Sequence, residues 1–254
     1  MLPAPALSIP GLIFYVYPIV KKPNMILNLV ILLATFFSAC TKQSATDTAL
    51  PPANIFNASG RSWLALGDSY TIGESVGVTD RYPAQTALLL KNDSIAIAEP
   101  QYIARTGWTT IDLQSAIAAA SLKPGYDIVS LLIGVNDQYQ GMDTAGYRQR
   151  FTQLLQIAIG KAAGRLNHVF VLSIPDYGVT PFGGGSAKVS REIDAFNSIN
   201  KEISLAFKVN YIDITPISRE AHTDQSLTAT DQLHPSAKQY LRWAELLRAA
   251  IKQS

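Results

Sequence analysis

From Arg61 onward the chain alternates between two patterns of apolar and polar positions. Short runs rich in β-branched and other apolar residues, SWLALG, SIAIAEPQYIA, DIVSLLIG, HVFVLSIP and NYIDI, read as strands. Between them lie longer segments with the 3.6-residue period of helices. RYPAQTALLLKN carries proline near its first turn, and TIDLQSAIAAASL follows the second strand. TAGYRQRFTQLLQIAIGKAAG sets Tyr147, Phe151, Leu154 and Leu155 on one stripe, and a segment from about Ala187 repeats Val189, Ile193, Phe196, Ile199, Ile203 and Phe207. In PSAKQYLRWAELLRAAIKQ, Pro235 is expected just inside the helix start, where a missing N–H costs nothing. Strand and helix in alternation predict an α/β domain with a mostly parallel sheet, over residues 61–254.

The chain begins differently. Residues 25–39, MILNLVILLATFFSA, form an apolar run shorter than the roughly 20 residues a membrane span needs, and of the length of a signal-peptide core. It ends in Phe37-Ser38-Ala39-Cys40, which resembles a bacterial lipoprotein box with Phe where Leu is usual. That resemblance implies that residues 1–40 are a signal and that Cys40 carries the lipid. It also implies a protein of the cell envelope, anchored to a membrane. An uncleaved anchor with an incidental thiol is the other reading, and Met25 is a second possible start. Residues 41–60 are polar, contain Pro51 and Pro52 and lack periodicity, so they read as a tether.

Composition narrows the function. The chain has 21 basic and 19 acidic residues, and Lys21 and Lys22 are the only charges before Cys40. A balanced domain with no basic stripe argues against nucleic acid as a partner. Cys40 is the single cysteine, so the domain relies on its core instead of disulfides. No His or carboxylate cluster has metal-ligand spacing, and no cofactor is expected.

Reactive groups in open α/β sheets collect at the carboxyl ends of strands. There the sequence supplies Gly67-Asp68-Ser69 after the first strand, Arg105-Thr106-Gly107-Trp108 after the second and Gly134-Val135-Asn136-Asp137 after the third. Asp231-Gln232-Leu233-His234 precedes the last helix. A serine hydroxyl needs a base to take its proton as it attacks. Of the three histidines, His168 heads a strand at the opposite end of the sheet and His222 lies in a polar loop. His234 has a carboxylate three residues earlier that can orient it. Asp68 and Asp137 have the positions of helix caps.

These four blocks, GDSY, RTGW, GVND and DQLHPS, resemble those of the SGNH hydrolases, the GDSL lipase/esterase family, over residues 62–254. Tyr70 stands where that family has leucine. Thr71 occupies the place of the second glycine of a G-x-S-x-G elbow, which sets the chain apart from ordinary α/β-hydrolases. The resemblance implies a flavodoxin-like three-layer α/β/α sandwich and a monomer acting on a small ester through an acyl-enzyme. It further implies a Ser69, His234 and Asp231 triad, with the N–H groups of Ser69 and Gly107 and the Asn136 amide as oxyanion donors. Tyr70, Trp108, Tyr139, Tyr177 and Phe182 are expected around an acyl or sugar pocket, near a flexible PFGGGSA loop. The substrate reads as a sugar O-acetyl ester or a lipid-type acyl ester. Acyl transfer, or a silent binding module of the same fold, are the alternatives.

Overall fold

The computed structural model describes residues 55–254. The signal expected at 1–40, with Cys40, and most of the expected tether lie outside the described residues. Residues 55–60, read as the end of the tether, belong to the folded unit. Ile55 and Phe56 pack against the core, and the Asn57 N–H donates to the Ile97 carbonyl at 2.8 Å.

Five strands, β1 Trp63–Asp68, β2 Gln101–Arg105, β3 Ile128–Leu132, β4 Val169–Leu172 and β5 Asn210–Ile212, form one sheet in the order β2-β1-β3-β4-β5. Every pairing is parallel. The chain therefore switches direction at β1, between β2 and β3, and such a switch leaves a crevice at the carboxyl ends of the strands. β1, β3 and β4 are buried along their whole length, as a strand covered on both faces must be.

Eight helices complete the described fold: α1 Ser69–Ile72, α2 Tyr82–Asn92, α3 Thr110–Ala119, α4 Val135–Tyr139, α5 Thr144–Lys161, α6 Ala187–Ala206, α7 Thr215–Arg219 and α8 Ala237–Ile251. α2 packs on α8, while α3 and α6 pack on α5. Right-handed crossovers put these two sets on opposite faces of the sheet, giving three layers. The expected stripes face inward: Tyr147, Phe151, Leu154 and Leu155 of α5 are fully buried, as is Ile193 of α6. Each such side chain contributes on the order of 1.5–3 kcal/mol by leaving water.

Two boundaries differ from expectation. The run SIAIAEPQYIA makes one isolated bridge at Ile97 and becomes a strand only from Gln101. Pro100 divides it, because proline has no N–H for a ladder. At α8, Ser236 is the N-cap, its hydroxyl accepting from the Gln239 N–H, so Pro235 lies before the helix instead of inside it. Pro235 instead bridges to Thr228 and shapes the loop that carries His234.

The amino edge of the sheet is stapled by Asp127. Its carboxylate accepts from the Ser62 N–H at 2.9 Å and the Ser62 hydroxyl at 2.8 Å, and Arg165 lies 3.5 Å away. His168 Nδ1 donates to the Asp127 carbonyl at 2.8 Å.

Candidate active site

Ser69 is the first residue of α1, directly after β1, and is 4% exposed. The sharp change of direction here depends on Gly67 and Gly73. A Cβ on Gly67 would meet the Thr71 hydroxyl oxygen at 2.1 Å and the Leu132 carbonyl at 2.4 Å. Gly73 ends α1 in the left-handed region at φ 70°, where its N–H donates to the Ser69 carbonyl. Asp68 caps the helix as expected, accepting from the Tyr70 N–H at 3.0 Å.

That carboxyl is fully buried, and its Oδ2 has no partner among the described residues. Burial pushes its pKa up to about 8 against the Tyr70 N–H, with Asp137 adding to the rise. Burial thus favours the neutral form of this carboxyl beside Ser69.

The second block begins after β2. Gly107 adopts φ 82°, a conformation that favours glycine, and borders the cavity beside Ser69. Asn136, in α4 after β3, donates one amide N–H to the Trp108 carbonyl at 2.9 Å. That bond fixes the amide plane and leaves the second N–H for the cavity, which Asn136 also lines. The neighbouring Asp137 is buried and turns to α3, whose N-cap is Thr109: it accepts from the Thr110 N–H at 2.8 Å and hydroxyl at 2.5 Å, with Arg150 at 3.3 Å.

His234 is 6% exposed, and its Nδ1 lies 2.6 Å from Asp231 Oδ2. A carboxylate on Nδ1 fixes the tautomer in which Nε2 is free to accept a proton. Asp231 Oδ1 accepts from the N–H groups of Leu233 and His234, each at 3.0 Å. A fourth donor, absent from the sequence reading, is the Ser75 hydroxyl, 2.6 Å from Oδ2. Partial burial works against charge on Asp231. The donors, Ser75 first and His234 next, outweigh it and hold the carboxyl at about 2. It therefore stays ionised throughout the neutral pH range. The Tyr70 ring lies 5.0 Å from the imidazole and forms the wall beneath it.

A cavity of about 210 Å³ brings Ser69, Gly107, Asn136 and His234 together. None of its lining residues is Asp, Glu, Lys or Arg. Tyr70 and Tyr177 line it from buried positions, while Tyr139 and Phe182 stand at its mouth, 61% and 53% exposed. Tyr139, Tyr177 and Phe182 form a triangle with centroids 6.0 to 6.5 Å apart. Trp108 departs from the expected arrangement. It is not among the lining residues, and its side chain packs half-buried on the core. The block contributes its backbone carbonyl, through Asn136, instead of the indole. The PFGGGSA loop is fixed at Phe182, whose N–H donates to the Gln232 carbonyl at 3.1 Å. Among the described residues no group of His, Cys, Asp and Glu could hold a metal ion, and no helix is long and apolar enough to cross a membrane.

Several solved structures share the fold. A lipase/acylhydrolase from Enterococcus faecalis is 20% identical, with TM-score 0.61, covering 76% of this chain and 96% of its own. Axe2, an acetylxylan esterase from Geobacillus stearothermophilus, is 21% identical, with TM-score 0.59 and coverage of 76% and 95%. A psychrotrophic esterase, EstA from Pseudoalteromonas sp., is 16% identical, with TM-score 0.56 and coverage of 76% and 97%. A search of curated proteins found no match. The GDSL-like lipase/acylhydrolase family matches residues 65–242, a span that contains every residue lining the cavity, and the chain belongs to that family of carboxylic ester hydrolases.

Proposed function

We propose that the protein is a serine esterase in which Ser69 attacks the ester carbonyl, His234 takes the serine proton and Asp231 stabilises the imidazolium. The observation that carries this reading is the Asp231 and His234 pair opening onto the same uncharged cavity as Ser69. As the Ser69 Oγ to carbonyl-carbon bond forms, the carbonyl oxygen becomes an oxyanion. The N–H groups of Ser69 and Gly107 and the free N–H of Asn136 surround that charge without having to reorganise. Collapse expels the alcohol, which takes its proton from His234 Nε2 and leaves the acyl group on Ser69. Water, deprotonated by the same imidazole, then releases the acid.

The substrate follows from the walls. A lining without charged residues suits a neutral ester. Tyr70 limits the depth beside Ser69, which favours a short acyl group. The exposed rings of Tyr139 and Phe182 offer the alcohol an apolar surface, as the C–H face of a sugar would need. A sugar O-acetyl ester is therefore the substrate class proposed, and one neighbour of the same fold is an acetylxylan esterase. We propose further, from the Phe37 to Cys40 box alone, that lipid on Cys40 anchors the protein in the cell envelope.

Release of p-nitrophenol from acetate, butyrate and octanoate esters, by the protein and its Ser69→Ala variant, tests the reading. Activity that vanishes with Ser69 and declines from acetate to octanoate is expected. An octanoate preference would move the substrate to lipid-type esters, and a folded protein no better than Ser69→Ala would make it a binding module.

A further inference from the structure

The stretch LALGDSYTIGES ends in two residues that the chemistry above does not use, Glu74 and Ser75. The Glu74 N–H donates to the Ser69 carbonyl at 3.0 Å, so this turn is fastened to the nucleophile. The Glu74 carboxylate accepts at 2.5 Å from the hydroxyl of Thr106, the residue before Gly107. The Ser75 hydroxyl donates at 2.6 Å to Asp231 Oδ2, the same oxygen that meets His234. We propose that Glu74 and Ser75 are positioning residues, the two arms of a clasp that sets the oxyanion loop and the acid-base loop in register with Ser69. The proposal rests on the serine-esterase reading.

The three loops come from places far apart in the chain, and their reacting atoms must agree closely for the chemistry to run. The bonds from the Leu233 and His234 N–H groups to Asp231 fix the carboxylate within its own loop. They do not fix that loop relative to Ser69. Among the described residues, the bond from Ser75 is the one hydrogen bond between residues 229–234 and the nucleophile turn, residues 67–76. Ser75 also sits at φ 65°, where glycine is favoured over any residue with a side chain. A glycine there suits the backbone conformation and removes the hydroxymethyl side chain with its hydroxyl.

The two arms leave different signatures. Without the Ser75 hydroxyl, negative charge concentrates on the Asp231 oxygen that faces the imidazole, so protonated His234 is stabilised and the acid limb of kcat/KM moves to higher pH. The titratable groups facing His234 are Asp231 on its own loop, Tyr70 from α1 with Asp68 capping it, and Tyr139 and Tyr177 across the cavity. Ser75→Gly changes none of them. Glu74→Ala removes a negative charge from the same turn and cannot move the limb upward. Glu74→Gln keeps an oxygen to accept from Thr106.

The test measures kcat, KM, pH profile and melting temperature for Ser75→Gly, Glu74→Ala, Glu74→Gln and Thr106→Val, beside Ser69→Ala. Ser75→Gly should lower kcat about tenfold with KM little changed and the acid limb raised, less than a gross misplacement costs because water reaches this bond. Glu74→Ala and Thr106→Val should match each other in lost kcat, and Glu74→Gln should recover most of it. An inactive Ser69→Ala with Ser75→Gly and Glu74→Ala both within about twofold of the parent would overturn the clasp and leave the esterase standing. Lost kcat in Ser75→Gly with an unmoved limb and a lowered melting temperature would reduce the residue to a structural one, also overturning the proposal. Activity retained in Ser69→Ala would remove the esterase reading itself.

Discussion

Each edge of the sheet carries a histidine beside an aspartate. At the amino edge, His168 Nδ1 meets the backbone carbonyl of Asp127 at 2.8 Å, while the Asp127 carboxylate is taken up by Ser62. At the carboxyl edge, His234 Nδ1 meets the Asp231 carboxylate itself at 2.6 Å. The residue types are the same, and the roles are not. A backbone carbonyl carries only a partial charge and gives an imidazolium little support, so the first pair acts as a staple between β3 and β4. A full carboxylate held at about 2 supports an imidazolium, and the other face of that ring opens on a cavity with a serine. The difference lies in whether Nδ1 meets a backbone carbonyl or a carboxylate and in the cavity that His234 lines, not in the presence of a His and an Asp.

Substitutions can break this contrast or refine it. The largest effects belong to Ser69→Ala and His234→Ala, each expected to cost about a millionfold in kcat. Asp231→Ala should cost less, about ten-thousandfold, because it orients and does not itself react. Steady-state kinetics on one ester rank the three, and an Asp231→Ala loss equal to that of His234→Ala would contradict the division of labour. Asn136→Ala should cost about 100-fold in kcat with KM nearly unchanged, the size of one oxyanion donor. Near-normal turnover would take Asn136 out of the site. The smallest effect should come from the other edge. His168→Ala should leave kcat intact and lower stability by about 1 kcal/mol, the worth of one hydrogen bond, seen as a few degrees in the melting curve. If His168→Ala instead lost activity at an unchanged melting temperature, the two edges would not be as separate as described.

Much of this was legible in the sequence because it is local. Alternating strand and helix periods mark all five strands, and the four quoted blocks supply Ser69, Gly107, Asn136 and His234, which meet at the cavity. What escaped depends on direction or distance. Trp108 sits in the right loop, but its indole turns to the core, and no pattern of types reveals which way a half-buried side chain points. Asp137 has the position of a helix cap, and the helix N–H it takes is that of Thr110 in α3, 27 residues earlier in the chain. Ser75 and Asp231 are 156 residues apart, so their bond exists only once the sheet has brought β1 and the last loop together. Pro235 stands one residue before the Ser236 N-cap and not inside α8, because a proline's missing N–H costs nothing on either side of a helix start and the sequence does not tell the two apart.

The described chain enters and leaves on the same side of the sheet. Arg61, ahead of β1, reaches the Asp127 carbonyl at 3.3 Å and the Ser254 hydroxyl at 3.5 Å, all at the edge away from the cavity. Anything joined after Ser254, a fusion partner or a bead, therefore has the length of the strands between it and the mouth, and the enzyme can be immobilised through that end with its opening facing the bulk.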